Sequence, residues 1–224
     1  MSAGRLYRTK QTRGRGAPGT PTRAQFGAYE RMFEYFNREL FDGTLPACLL
    51  NFSRMARTYG FFAPGRWESG AEVRHEISLN PGTLKDRQPI EIASTLVHEM
   101  AHLWQQEHGR PSRRGYHNAE WAGKMEEVGL VPSSTGVAGG ARVGQHVSHY
   151  IAAQGPFAQA FAAMPAEFLL PWSCGEVEEA KGKGGAPTRN KVKYTCPGCE
   201  TNVWGKPGLS LLCGDCSEVF AEVG

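Results

Sequence analysis

The sequence TLVHEMAHLW, residues 95–104, carries two histidines four positions apart and a glutamate beside the first. A helix advances about 100° per residue, so His102 lies about 40° around the helix from His98, one turn further on. Both imidazoles can therefore reach one metal ion. Glu99 lies roughly 60° beyond His102, outside this ligand pair but within reach of a water on the ion. The arrangement is typical of zinc peptidases, in which the glutamate is the general base. The alternative is an amphipathic helix that carries two ordinary histidines.

The surrounding pattern predicts a mixed chain of helices and short strands. Apolar residues at helical spacing predict helices over residues 24–41 and 90–108 and a shorter one over 118–128. Short apolar runs predict strands, over residues 48–52, 58–62, 72–79 and 168–172. The first helix has an aromatic stripe whose spacing indicates a core face rather than a binding site.

A catalytic zinc needs a third protein ligand and an open fourth position. The candidates downstream of the motif are His108, His117, Glu120 and Glu126. His108 has the six-residue offset of metzincins, but Gln105 stands where that pattern needs a glycine, so the helix continues and carries His108 away. Nothing singles out either glutamate. A loop followed by a new helix can bring His117 back against the first helix, so spacing alone favours His117 only mildly.

The C-terminal cysteines predict a second, structural metal site. They form two CxxC pairs, separated by thirteen residues, and are Cys196, Cys199, Cys213 and Cys216. Two residues between thiolates form a tight turn that puts both sulfurs on one side of a tetrahedral ion, and two such turns close the site. The segment is too short to build a core alone, so the metal would stabilise its fold.

Length, charge and hydropathy set the broad class of protein. The chain has 224 residues, a length that suits one domain of ordinary size or a domain with a small appendage, and 40% of them are hydrophobic, with a net charge of +3. Residues 1–23 hold six basic residues and no acidic one. This basic arm is either a solubilising tail or a loose contact for nucleic acid phosphates. The start of the chain lacks the apolar segment of a secretory signal and no run is long enough to span a membrane, so we expect a cytoplasmic protein.

Three further histidines and two further cysteines receive structural interpretations. His75, His146 and His149 have no sequence partner, so we expect surface or satisfied core histidines. Cys48 lies in a predicted strand and is interpreted as a buried apolar side chain. Cys174 is interpreted as a spare thiol.

Several of these motifs together resemble the SprT-like zinc metallopeptidases, which include the eukaryotic Spartan proteases. The resemblance runs from about residue 24 to residue 216 and rests on FNRELFDGTLP (36–46), ISLNP (77–81), TLVHEMAH (95–102), a later histidine with an aromatic four residues on, and the four cysteines. It implies that the third zinc ligand is His117. Many members have glycine after this histidine, where this chain has Asn118.

The expected fold is α+β: a minimal zincin-like metallopeptidase domain, with helices on a small sheet, followed by a small β zinc ribbon. We expect a disordered basic arm over residues 1–23, the peptidase core over 24–131, a linker and accessory segment over 132–187, and the ribbon over 188–224. The expected cofactors are one catalytic and one structural Zn²⁺.

The expected function is that of a zinc metalloendopeptidase which hydrolyses peptide bonds with a zinc-bound water and Glu99 as general base. The resemblance implies proteolysis coupled to DNA in some members. DNA is therefore an expected partner beside the protein substrate, through the ribbon and the arm, and no membrane is expected. The alternative is a nucleic-acid-associated zinc-ribbon protein with a weak or vestigial peptidase site. An intact Glu99 favours the enzyme, because a purely structural zinc needs no such acid.

Overall fold

The computed structural model describes residues 19–174 and 191–223, and the chain divides into two compact units, residues 1–175 and 176–224. The predicted α+β class is confirmed. The basic arm is predicted over residues 1–23, of which residues 1–18 lie outside the described residues. The last three residues of this arm belong to the first helix. Residues 175–187 of the predicted linker and accessory segment also lie outside the described residues.

The first unit combines four α-helices with a three-stranded and a two-stranded sheet in its described part. Its elements in chain order are α1 (Pro21–Leu40), β1 (Leu49–Phe52), β2 (Gly60–Ser69), β3 (Glu72–Leu79), α2 (Pro89–His108), α3 (Ala119–Glu127), β4 (Leu130–Ser133), β5 (Ser148–Ile151) and α4 (Pro156–Ala163). The helices and strands predicted before residue 130 correspond to α1, β1, β2, β3, α2 and α3 within a few residues, except that β2 is longer than predicted. The strand predicted over 168–172 is wrong, because a short 3-10 helix, Ala166–Phe168, stands at its start.

The larger sheet has the strand order β1-β3-β2, with β1 parallel and β2 antiparallel to β3. His75 ties this sheet to α2, because its Nδ1 accepts the Gly65 N–H at 2.9 Å and its Nε2 lies 2.9 Å from Glu107 Oε1. Since Nδ1 is an acceptor here, Nε2 carries the proton and donates to the carboxylate. The histidine thus has the structural role predicted for it.

The hydrophobic core lies where α1, α2 and α3 pack together and against the sheet. Most of the aromatic stripe of α1 is buried, as its spacing predicts: Tyr29, Met32 and Phe36 are at most 1% exposed, whereas Phe26 near the start of the helix is 39% exposed. The apolar face of α2 contributes Leu96, Met100 and Leu103, all at 0%. Both 20-residue helices, α1 and α2, are amphipathic. No helix in residues 19–174 or 191–223 is both long enough and apolar enough to cross a lipid bilayer.

Residues 130–164, most of which lie in the predicted linker and accessory segment, form the rest of this core. β4 and β5 pair antiparallel, and α4 packs its Phe157 ring 5.6 Å from that of Phe36. The turn between α3 and β4 makes this possible at Gly129, which has a φ of +88°. A Cβ there would approach Pro156 Cδ to 2.9 Å, so only glycine allows α4 to begin so close to the turn.

The second unit is a three-stranded antiparallel sheet that carries the four cysteines. Its strands are β6 (Val192–Thr195), β7 (Asn202–Gly205) and β8 (Ala221–Val223), in the order β7-β6-β8. Tyr194 on the central strand is only 1% exposed, and its hydroxyl lies 2.6 Å from the Lys206 carbonyl oxygen, to which it donates. This small β unit agrees with the expected zinc ribbon.

The packing of α4 predicts that residues 156–163 stabilise the first unit. We expect Phe157→Ala to lower the free energy of unfolding by about 3–5 kcal/mol, because it leaves a cavity against Phe36. Gln159→Ala is the control on the same helix, at an exposed position, and should change it by less than about 0.5 kcal/mol. Denaturant unfolding of both full-length variants measures the difference. Equal stabilities would show that this segment is an independent linker.

Candidate metal centre

The two histidines of the motif lie in the middle of α2, whose start and end are both defined by local hydrogen bonds. Pro89 occupies the first turn, and the Glu91 carboxylate accepts the Gln88 N–H at 2.8 Å. This cap and the fixed φ of proline both favour helix initiation. The helix ends at His108, where the Gly109 N–H still bonds to the Gln105 carbonyl at 3.0 Å.

A loop and a short backbone pairing bring His117 back to α2. The His117 N–H donates to the Gly144 carbonyl at 2.8 Å, and the Gly144 N–H donates to the His117 carbonyl at 3.0 Å. His117 Nδ1 lies 3.3 Å from the same Gly144 carbonyl. Since a carbonyl only accepts, Nδ1 is the protonated nitrogen in this contact and Nε2 keeps its lone pair.

Three imidazoles converge as a result. One ring nitrogen from each of His98, His102 and His117 lies within 4.8 Å of the others. The ring centroids are 5.2 Å apart for the pair on α2, and His117 lies 5.5 Å from the first and 4.9 Å from the second. A tetrahedral zinc with 2.0–2.1 Å bonds to nitrogen requires nitrogens about 3.3 Å apart, so the three side chains fit such an ion.

Trp121, on α3, forms the apolar support beneath these rings. It is fully buried, and its ring lies 4.9 Å from His98, 5.1 Å from His102 and 4.3 Å from His117. The indole is the aromatic residue four positions after His117 that the sequence pattern includes. It excludes water from one side of the cluster and restricts the orientations of the three imidazoles.

The environment holds all three imidazoles in the neutral form that binds metal. Burial lowers the pKa of His98 well below its usual value and that of His102 to about 3, and mutual repulsion among the histidines adds to both effects. Burial also lowers the pKa of His117, although the Gly144 carbonyl partly opposes it. A neutral imidazole offers a lone pair without first losing a proton, so the donor set suits a divalent cation.

The other candidates for a third ligand are engaged elsewhere. His108 Nε2 lies 3.3 Å from the Thr44 carbonyl oxygen. The Glu120 carboxylate accepts from the Arg110 N–H and from Gln105 Nε2, both at 2.7 Å. Glu126 forms two hydrogen bonds with Arg142. The structure brings together His98, His102 and His117, and it does not bring these three alternatives into the cluster.

Asn118, the departure from the glycine that is common at this position, has a structural role. Its Oδ1 caps α3 by accepting the Trp121 N–H at 3.0 Å and also accepts from Gln105 Nε2 at 2.7 Å. Its Nδ2 donates to the Arg110 carbonyl at 3.2 Å. The substitution therefore fixes the start of α3, and with it Trp121, against α2.

Glu99 is buried next to the cluster, with 6% of its surface exposed. Burial raises the pKa of its carboxyl group to about 8, opposed only by a hydrogen bond from the backbone of Phe62 on β2. A cation held by the neighbouring histidines would favour the ionised form, since an opposite charge lowers the pKa of a carboxyl group. The ionised form of Glu99 would therefore be favoured by a cation held nearby.

His149, on β5, also contacts the cluster, which the sequence did not predict. Its Nδ1 lies 3.1 Å from His98 Nδ1, and its Nε2 lies 2.9 Å from Ser94 Oγ. Burial lowers its pKa to about 4, with a smaller contribution from Arg87. The interpretation of His149 as a satisfied histidine is correct as far as its hydrogen bonds go. His149 lies 51 residues after His98 in the chain. Its place beside His98 follows from the pairing of β5 with β4, for which no local signal exists in the sequence.

The second candidate centre lies in the ribbon, where the sulfurs of Cys196, Cys199, Cys213 and Cys216 are all within 4.8 Å of one another. All four are free thiols, and the Cys199 and Cys213 sulfurs are 3.7 Å apart. Zinc–sulfur bonds of 2.3 Å in a tetrahedron separate the sulfurs by about 3.8 Å, so the cluster fits zinc.

The two cysteine turns repeat the same backbone bonds. The first cysteine of each pair accepts an N–H from the residue four positions later, Glu200 in one turn and Ser217 in the other, each at 2.9 Å. Gly198 lets the turns approach, because a Cβ there would lie 2.9 Å from the Cys216 Cβ. The sequence pattern therefore forms two matching turns that face one small volume.

Comparison with known proteins places the motif region within one family. Residues 29–139 match the SprT-like family, a range that contains all three clustered histidines and Glu99. The chain is also similar to a protein of Salmonella typhimurium named "Uncharacterized protein in mucB 3'region". The two are 37% identical over 60 residues, which cover 25% of this chain and 81% of that protein.

The geometry predicts which histidine completes the first metal centre. We expect His117→Ala to bind one zinc ion fewer per chain than the parent, because two ligands on α2 cannot hold the ion alone. His108→Ala should bind as much zinc as the parent, since its ring faces the Thr44 carbonyl. Cys213→Ser should also lose one zinc ion while the histidine centre stays loaded. Elemental analysis of the purified, dialysed variants measures the stoichiometry, and full zinc retention by His117→Ala would contradict the assignment.

Proposed function

The chain belongs to the SprT-like family, and from that premise we propose that it is a zinc metalloendopeptidase acting on protein substrates. One observation carries the proposal. Three neutral imidazoles converge within 4.8 Å, and a buried carboxylate follows the first of them on the same helix. His98, His102 and His117 are the ligands that we assign to a catalytic zinc, and Glu99 is the general base.

The number of ligands favours catalysis over a structural role. Structural zinc sites are closed by four protein ligands, whereas catalytic sites use three and leave one position for solvent or substrate. His149 approaches the cluster, but its two ring nitrogens contact His98 and Ser94. Among the residues that the structure describes, the cluster therefore offers three ligands and not four.

Each residue of the site has a separate task in this proposal. Zinc, when bound, would activate a water for attack and polarise the scissile carbonyl group. Glu99 accepts a proton during attack on the peptide bond and delivers it to the leaving amine. Burial keeps bulk water from the carboxylate, and the Phe62 N–H holds it in place. The Trp121 ring and the Gly144 carbonyl help to hold the orientation of the imidazoles.

We assign a second, structural zinc to the ribbon. Four thiolates leave no open position, so this ion would not act on a substrate. It would instead hold together a three-stranded unit whose described part has few fully buried side chains: Tyr194, Cys196 and Cys213. Such small units depend on a metal for much of their stability.

The proposal predicts the behaviour of a variant that changes only the base. Glu99→Gln keeps the shape of the side chain but cannot accept a proton, so we expect hydrolysis of a denatured, dye-labelled protein to fall by about 10²–10⁴-fold. Zinc content should be unchanged, because Glu99 is not a ligand.

Glu107→Gln is the matched control, because it makes the same replacement on the same helix but near His75. It should hydrolyse the substrate at the parent rate. Cleavage by Glu99→Gln at the parent rate would contradict the assigned role, or show that the activity belongs to a contaminant.

A second candidate function, association with nucleic acid, has support in the ribbon. Trp204 on β7 is 64% exposed, and Lys193 stands opposite it on β6. An exposed aromatic ring beside a positive charge suits stacking with an unpaired base and contact with its phosphate. The two functions are compatible, and together they suit a peptidase that acts on DNA-associated proteins.

The ribbon should contribute more to DNA affinity than the basic arm. We expect Trp204→Ala to weaken the binding of single-stranded DNA by about 5–150-fold, the range that corresponds to 1–3 kcal/mol of stacking. Trp172→Ala is the control, since this tryptophan is 55% exposed in the first unit. Deleting residues 1–18 should weaken DNA binding less than Trp204→Ala does, and mainly at low salt, because added salt screens the diffuse charge of the arm. Titrations at two salt concentrations test this, and an unchanged affinity in Trp204→Ala would contradict the stacking role.

A further inference from the structure

We propose that His149 is a positioning residue, which keeps the proton of His98 on Nδ1 and thereby presents His98 Nε2 to the metal. The inference rests on the proposed function, because it assumes that His98 is a zinc ligand. It adds a residue from outside the motif, on β5, to the machinery of the site.

The geometry forms a continuous chain of polar atoms on one side of α2. His98 Nδ1 lies 3.1 Å from His149 Nδ1, and His149 Nε2 lies 2.9 Å from Ser94 Oγ. Ser94 is buried, at 3% exposure, and its hydroxyl lies 2.9 Å from the Glu91 carbonyl oxygen. Ser94 and His98 lie on the same helix, one turn apart, so the imidazole of His149 spans one helical turn.

Two neutral imidazole nitrogens at this distance share one proton, since two N–H groups or two lone pairs facing each other would repel. The proton can belong to either ring. If His98 Nδ1 donates, His98 Nε2 has a free lone pair. If His149 Nδ1 donates, the proton of neutral His98 is on Nε2, and this nitrogen cannot bind a metal.

The hydrogen bonds of Ser94, the last residue in this series of polar atoms, select between these two arrangements. A carbonyl oxygen only accepts, so the Ser94 hydroxyl donates to Glu91 and its oxygen is left to accept from His149 Nε2–H. A neutral His149 with its proton on Nε2 has only a lone pair on Nδ1. His98 must then donate through Nδ1, and its Nε2 lone pair remains free for the ion.

The same contacts separate this role from that of a ligand or a catalytic group. Both ring nitrogens of His149 are occupied, one by His98 and one by Ser94, so neither is left for zinc or for substrate. His117 is oriented in the same way by the Gly144 carbonyl, 3.3 Å from its Nδ1. Hydrogen bonds of this kind fix the tautomer and ring orientation of metal-bound histidines, and their loss typically weakens metal affinity by about 10–100-fold.

Zinc affinity of the full-length chain tests the proposal. We expect His149→Leu to weaken zinc binding at the histidine centre by about 10–100-fold. His149→Asn should restore most of the affinity, because its side-chain oxygen is attached to Cγ as Nδ1 is and can accept the His98 proton. Competition with a chelator measures the affinity, and His117→Ala, titrated in parallel, identifies the contribution of the ribbon.

Proton-coupled ¹⁵N NMR of the imidazoles provides a readout that a packing role alone would not change. In the zinc-loaded parent, His98 should carry its proton on Nδ1 and His149 on Nε2. Zinc bound through His98 Nδ1, or a proton on His149 Nδ1, would overturn the proposal even if His149→Leu failed to fold. Equal zinc affinity in parent, His149→Leu and His149→Asn would overturn it as well, while leaving the proposed peptidase intact. A parent that binds no zinc at this centre would overturn both.

Discussion

The fold depends on one constraint: three imidazoles have to share a small volume without carrying charge. Burial lowers the pKa of each ring, and repulsion from nearby histidines adds to this effect, so the rings are neutral at physiological pH and each has a lone pair available. α2 supplies the spacing of two rings, Trp121 supports all three, and the Gly144 pairing fixes the third.

The need to hold these rings explains why the first unit extends well past the motif. Glu99 and the two histidines on α2 require a rigid helix, which α1, α3 and the larger sheet bury on its apolar side. His117 requires a partner strand segment, which the loop before β5 provides at Gly144. His149 comes from β5 itself, and α4 packs against α1 beyond it. Residues 130–164 therefore also support the site.

The sequence predicts those features whose cause is local. Helical spacing predicts α1, α2 and α3, the four-residue step brings His98 and His102 together, and paired CxxC turns predict the sulfur cluster. The resemblance, rather than spacing, selected His117, because a loop of this length can end in many places. His149 and Gly144 could not be predicted in the same way, since their positions depend on strand pairing between residues far apart in the chain. The strand predicted over residues 168–172 is wrong because apolar content alone does not distinguish a strand from a packed irregular segment.

We assign the histidine cluster as an open, catalytic metal centre rather than a closed, structural one. Anomalous diffraction at the zinc edge, from crystals of the zinc-loaded full-length chain, distinguishes the two. We expect an ion bonded to one nitrogen each of His98, His102 and His117, at about 2.0–2.1 Å, with its fourth position open to solvent. We also expect His149 to remain bonded to His98 and not to the ion. An ion closed by four protein ligands, or no ion among these histidines, would rule out this assignment.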